Sequence, residues 1–155
     1  MNVLLHQQDV SGKVAITCAC ADHDLSHEVS KVVPDGAVYE IVDSSTVPTD
    51  CTFRDAWRWA GVGSVITTDI PAARELALTH ARNIATAKLK REKDEELLGT
   101  DVQATIAGIQ TEYQTCQASI NASEDLEVFK STLDQFSTCY GTSFNWRIDG
   151  SLTVS

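Results

Sequence analysis

The sequence predicts an α+β protein: a small α/β module over residues 1–68, a helical segment over 69–137 and a C-terminal β-hairpin over 138–155. Three observations carry that reading. Short β-prone runs punctuated by Gly and Pro crowd the first 68 residues, and residues 72–98 contain neither Gly nor Pro. An apolar ridge at coiled-coil spacing follows.

The first two strands are Val3-Leu4-Leu5-His6 and Lys13-Val14-Ala15-Ile16-Thr17-Cys18. Between them Gln8-Asp9-Val10-Ser11-Gly12 supplies a glycine for the positive φ of a hairpin turn. Asp24 then leads a short helix, because Leu25, Val29, Val32 and Val33 fall on one helical face. Pro34-Asp35-Gly36 closes it in a turn. The β-branched and aromatic run Ala37-Val38-Tyr39-Glu40-Ile41-Val42 is the third strand. Three strands and one helix make a thin core for fewer than ~70 residues, so the module is expected to lean on a partner surface.

Residues 48–59 read as a turn at Pro48-Thr49-Asp50 followed by an amphipathic hook. Phe53 and Trp57 are spaced i, i+4, so one helical turn puts both rings on one side. Arg54 and Arg58 would make a parallel basic edge, and Asp50 would cap the free amides. The rings, with Trp59 beside them, either fill the module's own core or press into another chain, where Trp and Arg are favoured contact residues. Gly61-Val62-Gly63-Ser64 lacks the third glycine of a dinucleotide-binding loop and reads as a flexible connector.

Asp69 and Pro71 start a long helix, with proline in the first turn where its missing amide costs nothing. Run to residue 98, it is a rod of ~40 Å. Its apolar stripe of Ile70, Ala73, Ala77, His80 or Ala81, Ile84 and Ala87 is built mainly from small residues. The mixed-sign run from Lys88 to Glu96 reads as a solvated face. Gly99 ends the helix and Thr100-Asp101-Val102-Gln103 restarts the chain in a capping-box-like pattern.

Val102, Ile106, Ile109, Tyr113, Cys116 and Ile120 then follow at spacings of 4, 3, 4, 3 and 4, the repeat of a coiled-coil seam. Isoleucine at both kinds of core position favours three or more strands, so a trimeric bundle between chains is one expectation. A helical hairpin within one chain is the other. A further helix from Ser123 or Glu124 to Phe136 carries Leu126, Phe129, Leu133 and Phe136 on one face, with acids at its positive end. The tail, with Trp146, alternates around Asp149-Gly150 as a hairpin that would dock on the N-terminal strands or on another subunit.

Charge and composition narrow the function classes. The net charge of −10 divides as −6 in residues 1–70, +1 in 71–98 and −5 in 99–155, which argues against a nucleic-acid partner. No apolar run reaches the ~18–20 residues of a membrane span. The opening residues lack the basic start and apolar stretch of a secretory signal, so the five scattered cysteines are expected as reduced thiols. Cys18, Cys20, His23 and His27 are the candidate set for a metal or a Cys/His-based enzyme, since zinc accepts such donors. However, one residue between the cysteines is fewer than the usual two to four, and a chain turn separates them from the histidines. His23 with Asp22 or Asp24 has no nucleophile tied to it by spacing. Neither an enzyme nor a cofactor is expected.

The run from Pro34-Asp35-Gly36-Ala37 to Ile41-Val42-Asp43, followed by Val47-Pro48-Thr49-Asp50-Cys51-Thr52-Phe53-Arg54-Asp55-Ala56-Trp57, resembles small proteins encoded among bacteriophage tail genes. Cys51 stands where that family commonly carries Arg, which puts a salt-bridge role for the position in doubt. The resemblance covers about 26 residues and the general plan of a following helical segment. It implies a virion component of the tail, fibre or baseplate, made in the host cytoplasm and acting through contacts with other tail proteins. A tail-fibre assembly chaperone absent from the finished particle is the alternative. The residues expected to make contacts between chains are Phe53, Arg54, Trp57, Trp59, Val102, Ile106, Ile109, Tyr113, Cys116, Ile120 and Trp146.

Overall fold

The computed structural model describes residues 1–18 and 25–138. The chain is mixed α+β, with small strands first and helices after, and divides into two compact units, Met1–Asp69 and Ile70–Ser155. The expected C-terminal hairpin with Trp146 lies outside the described residues, as do Cys20, His23 and Cys139.

In the first unit β1 (Asn2–Gln7) and β2 (Val14–Cys18) form the expected hairpin, antiparallel with Val3 opposite Cys18 and Gln7 opposite Val14. The turn works because Gly12 takes φ +78° and Asp9 accepts the Ser11 amide at 2.8 Å. Helix α1 (Leu25–Val32) and the turn at Gly36 lead to β3 (Tyr39–Asp43), which pairs antiparallel with the other side of β1. The sheet order is therefore β2-β1-β3, and β1 is its centre. Its period of two puts Val3 and Leu5 on one face and Leu4 and His6 on the other, and all four are buried. Val3, Leu5 and Val14 pack against Trp57 and Trp59, while α1 packs on β1 and buries Leu25.

The hook is helical for a single 3-10 turn and then becomes a strand. A 3-10 turn, Arg54–Ala56, runs directly into β4 (Trp57–Trp59), which pairs with β5 (Ile66–Thr68), Trp57 opposite Thr68 and Trp59 opposite Ile66. Trp57 and Trp59 therefore share a face at i, i+2, and Phe53, at the start of the 3-10 turn, is buried as well. Aromatic and β-branched residues suit this pleated, half-buried position. The chain between them, expected as a flexible connector, is an ordered turn. Gly61 and Gly63 have φ of +119° and +78°, the Ser64 amide donates to the Gly61 carbonyl, and the Gly63 amide donates to the Glu40 carboxylate at 2.9 Å.

The second unit is built from α2 (Ile70–Leu97), α3 (Gln103–Asn121) and α4 (Leu126–Thr138), each packed on the other two. Arg74, near the start of α2, donates to the Ser123 carbonyl just past α3, and Lys88 donates to the Phe136 carbonyl late in α4. Thus α3 runs against α2 and α4 runs with it. The stripe on α2 that meets them is Ala73, Ala77, Ala81, Ile84, Ala85 and Lys88, so Ala81 rather than His80 faces in. Small side chains let helix axes approach closely, and Phe129, Leu133 and Phe136 of α4 fill the space left.

Gly99 ends α2 as a C′ residue at φ +93°. The Gly99 amide donates to the Glu96 carbonyl and the Thr100 amide to the Glu95 carbonyl, the two bonds of a Schellman motif. The restart differs from a capping box. Asp101 accepts the Gln103 amide at 3.2 Å, and the Gln103 side chain instead donates to Glu96 across the connection.

Replacing Gly99 by Ala meets no atom within 4 Å, so its cost is backbone conformation alone. We expect Gly99→Ala to destabilise the helical unit by about 1–2 kcal/mol in chemical denaturation. A second expectation concerns acid. Asp43 accepts the Ser45 amide at 2.9 Å, and hydrogen bonds from the Ser45 backbone and side chain are the main cause that holds its carboxyl at about 2 against an ordinary 3.8. A depressed carboxyl stabilises the fold above its unfolded value and loses that contribution as pH falls from about 3.8 through about 2. Asp43→Asn should flatten the stability profile in that window, read by thermal melts across pH 2–5.

Candidate functional site

The 48–59 segment folds from its caps inward. Asp50 accepts the Thr52 amide at 3.0 Å, and the amides of Arg54 and Ala56 donate to the carbonyls of Cys51 and Phe53. This turns Phe53, Ala56, Trp57 and Trp59 inside, each no more than 3% exposed, and leaves Cys51 and Arg54 outside. The three rings expected as a possible anchor for another chain are thus core residues, and Trp57 and Trp59 are held by the module's own β1 and β2. Arg58 does not extend a basic edge with Arg54. Its guanidinium donates to the carbonyls of Asp55 and Trp57 and lies 3.2 Å from Asp69.

The module exposes apolar residues at its hairpin tips, among other places. Val10 in the β1–β2 turn and Val62 and Val65 beyond β4 are at least two-thirds exposed. A shallow depression of about 420 Å³ is bordered by Val10, Gly12, Arg58, Trp59 and Val65. Its floor is fixed by backbone: the Trp59 amide donates to the Gly12 carbonyl at 2.9 Å, and the Gln7 side chain donates to the Trp59 carbonyl at 3.1 Å. The buried Trp59 indole N–H has no hydrogen-bond partner among the described residues.

In the helical unit Val102, Ile109, Cys116 and Ile120 are buried in the chain, and Ile106 and Tyr113 are half-buried. The buried part of this ridge is covered within the chain, where α3 packs on α2 and α4. Beside it a cleft of about 190 Å³ is lined by Glu112, Thr115, Cys116, Ser119, Thr132 and Phe136. Lys88 is 3% exposed, not part of a solvated face. Its ammonium lies 4.3 Å from the Phe136 ring centroid, and that ring stacks on Tyr113 with centroids 6.3 Å apart. A signal for Lys88 was present in the sequence: it continues the i, i+4 series of Ala77, Ala81 and Ile84 within one residue.

The chemistry available here is limited. Burial pushes the Cys116 thiol up to about 11, with nearby Lys88 opposing the shift. A thiol so placed is a weak nucleophile at neutral pH. Cys18 and Cys51 are exposed free thiols. Of the Cys18, Cys20, His23 and His27 set, only Cys18 and His27 lie among the described residues, which hold no group of three metal-ligating side chains. No helix among the described residues is long and apolar enough to cross a membrane.

No family model, no curated protein and no solved structure matches the chain.

Alkylation followed by residue-resolved mass spectrometry should separate the thiols. From ionisation alone, a shift from 9.0 to about 11 slows Cys116 by about 100-fold at pH 7 relative to a thiol of ordinary acidity. Cys18 and Cys51 should label in the native protein, and Cys116 only after unfolding.

Proposed function

We propose that the protein is a non-enzymatic component of a bacteriophage tail, associated with fibre or baseplate and working through protein–protein contacts. The observation that carries this reading is the resemblance over residues 34–59. Those residues make up one continuous block of the module, from the Gly36 turn through β3 to β4. The aromatic residues of the motif shape a core, and valines at neighbouring hairpin tips are left in solvent. A motif spent on folding a compact module, rather than on assembling reactive groups, supports a docking role. In this reading the protein is made in the host cytoplasm and joins other tail proteins.

Mass spectrometry of purified particles tests the proposal. The polypeptide should be present in fixed proportion to known tail subunits and stay with the tail when heads and tails are separated. Its absence from particles, with abundant protein in the infected-cell lysate, would overturn the structural role in favour of an assembly chaperone.

A further inference from the structure

The three-stranded sheet has two edges, and they are treated differently. Along β2 the chain is continued at one end by β4: Lys13 forms a bridge with Arg58, and the Gly12 carbonyl accepts the Trp59 amide. Along β3 the outer side carries no such cover among the described residues.

The bonds at the ends of β3 fix which groups face out. Gln7 donates to the Val38 carbonyl and Ser44 donates to the Met1 carbonyl, so residues 38, 40, 42 and 44 are the positions bonded to β1. The amides and carbonyls of Tyr39 and Ile41 and the Asp43 amide therefore point to the open edge, while the Asp43 carbonyl accepts the Thr46 hydroxyl at 2.7 Å. The side chains of Tyr39, Ile41 and Asp43 lie on one face of the sheet, where Tyr39 and Ile41 are 46% and 39% exposed. An open edge with exposed apolar side chains is a template for another strand, and native proteins usually blunt it with Lys, Pro or a bulge. The strand Tyr39-Glu40-Ile41-Val42-Asp43 has neither Lys nor Pro.

We infer that β3 pairs with β3 of a second copy, antiparallel about a two-fold axis at Ile41, to make a continuous six-stranded sheet. Self-pairing at this register is complementary. It puts Ile41 opposite Ile41, and Tyr39 opposite Asp43 on both sides of the axis, so the whole strand is used. Glu40 falls opposite Val42, and no like charges meet directly. Moving the axis to Asp43 would face two carboxylates and lose most of the overlap, and cross-strand like pairs are unfavourable. An isologous contact through β3 uses that edge in both copies, so pairing at this edge closes at two.

Light scattering on the full chain tests this through residue 41. The wild-type protein should show twice the chain mass at high micromolar concentration. Ile41→Lys and Ile41→Glu should each be monomeric, with unchanged circular dichroism, because each puts like charges across the axis. Mixing the two variants in equal amounts should restore the dimer mass, since residue 41 then meets an opposite charge. A wild-type monomer, an oligomer unaffected by either charge, or a failure of the mixture to associate would each overturn the inference. These readouts use isolated protein, so they stand apart from the presence of the chain in particles.

Discussion

The N-terminal unit depends on the contact between two indoles and one central strand. Trp57 and Trp59 project from the same face of β4 onto Val3, Leu5 and Val14. Burying two such rings contributes on the order of 4–6 kcal/mol each in gross transfer free energy. The three-residue hairpin that carries them adds hydrogen bonds worth only about 1 kcal/mol apiece. The rings therefore decide where the β4–β5 hairpin sits, and the hairpin in turn hides one face of a sheet too small to be stable bare. The rest follows from that placement: β1 is covered on both faces, the tips carrying Val10 and Val65 converge, and β3 keeps an open side.

The helical unit solves its burial by a different route. It has few large side chains on its longest helix, and Ala73, Ala77, Ala81 and Ala85 trade apolar area for close approach. The large residues come from the partners, Ile109 and Ile120 on α3 and Phe129 and Leu133 on α4. A coiled-coil spacing thereby serves a bundle closed within one chain.

Legibility tracked how local the cause was. The β1–β2 turn, β3, α2, α3 and α4 were readable because glycine placement and period-2 or period-3.6 patterns act over neighbouring residues. The β4–β5 hairpin was not, since strands of three residues carry too little alternation, and Phe53 with Trp57 fits a helical spacing equally well. Lys88 was hidden by its neighbours: a cation that begins a charged run looks solvated, although its register belongs to the alanine stripe. Whether the ridge would be covered by the same chain or another was beyond any spacing argument, because a seam looks alike from either side. The candidate site was the least legible part. It depends on which side chains are left outside once the core is full, and that is a property of the assembled unit.

The buried ammonium of Lys88 has a consequence for how α4 finds its place. Apolar faces of helices can slide by a turn and still bury comparable area. A slip of α4 by one turn, ~5.4 Å along its axis, would carry the Phe136 carbonyl and ring away from the buried Lys88 ammonium. The lysine thus acts as a detent, penalising the misaligned bundle more than it strengthens the aligned one.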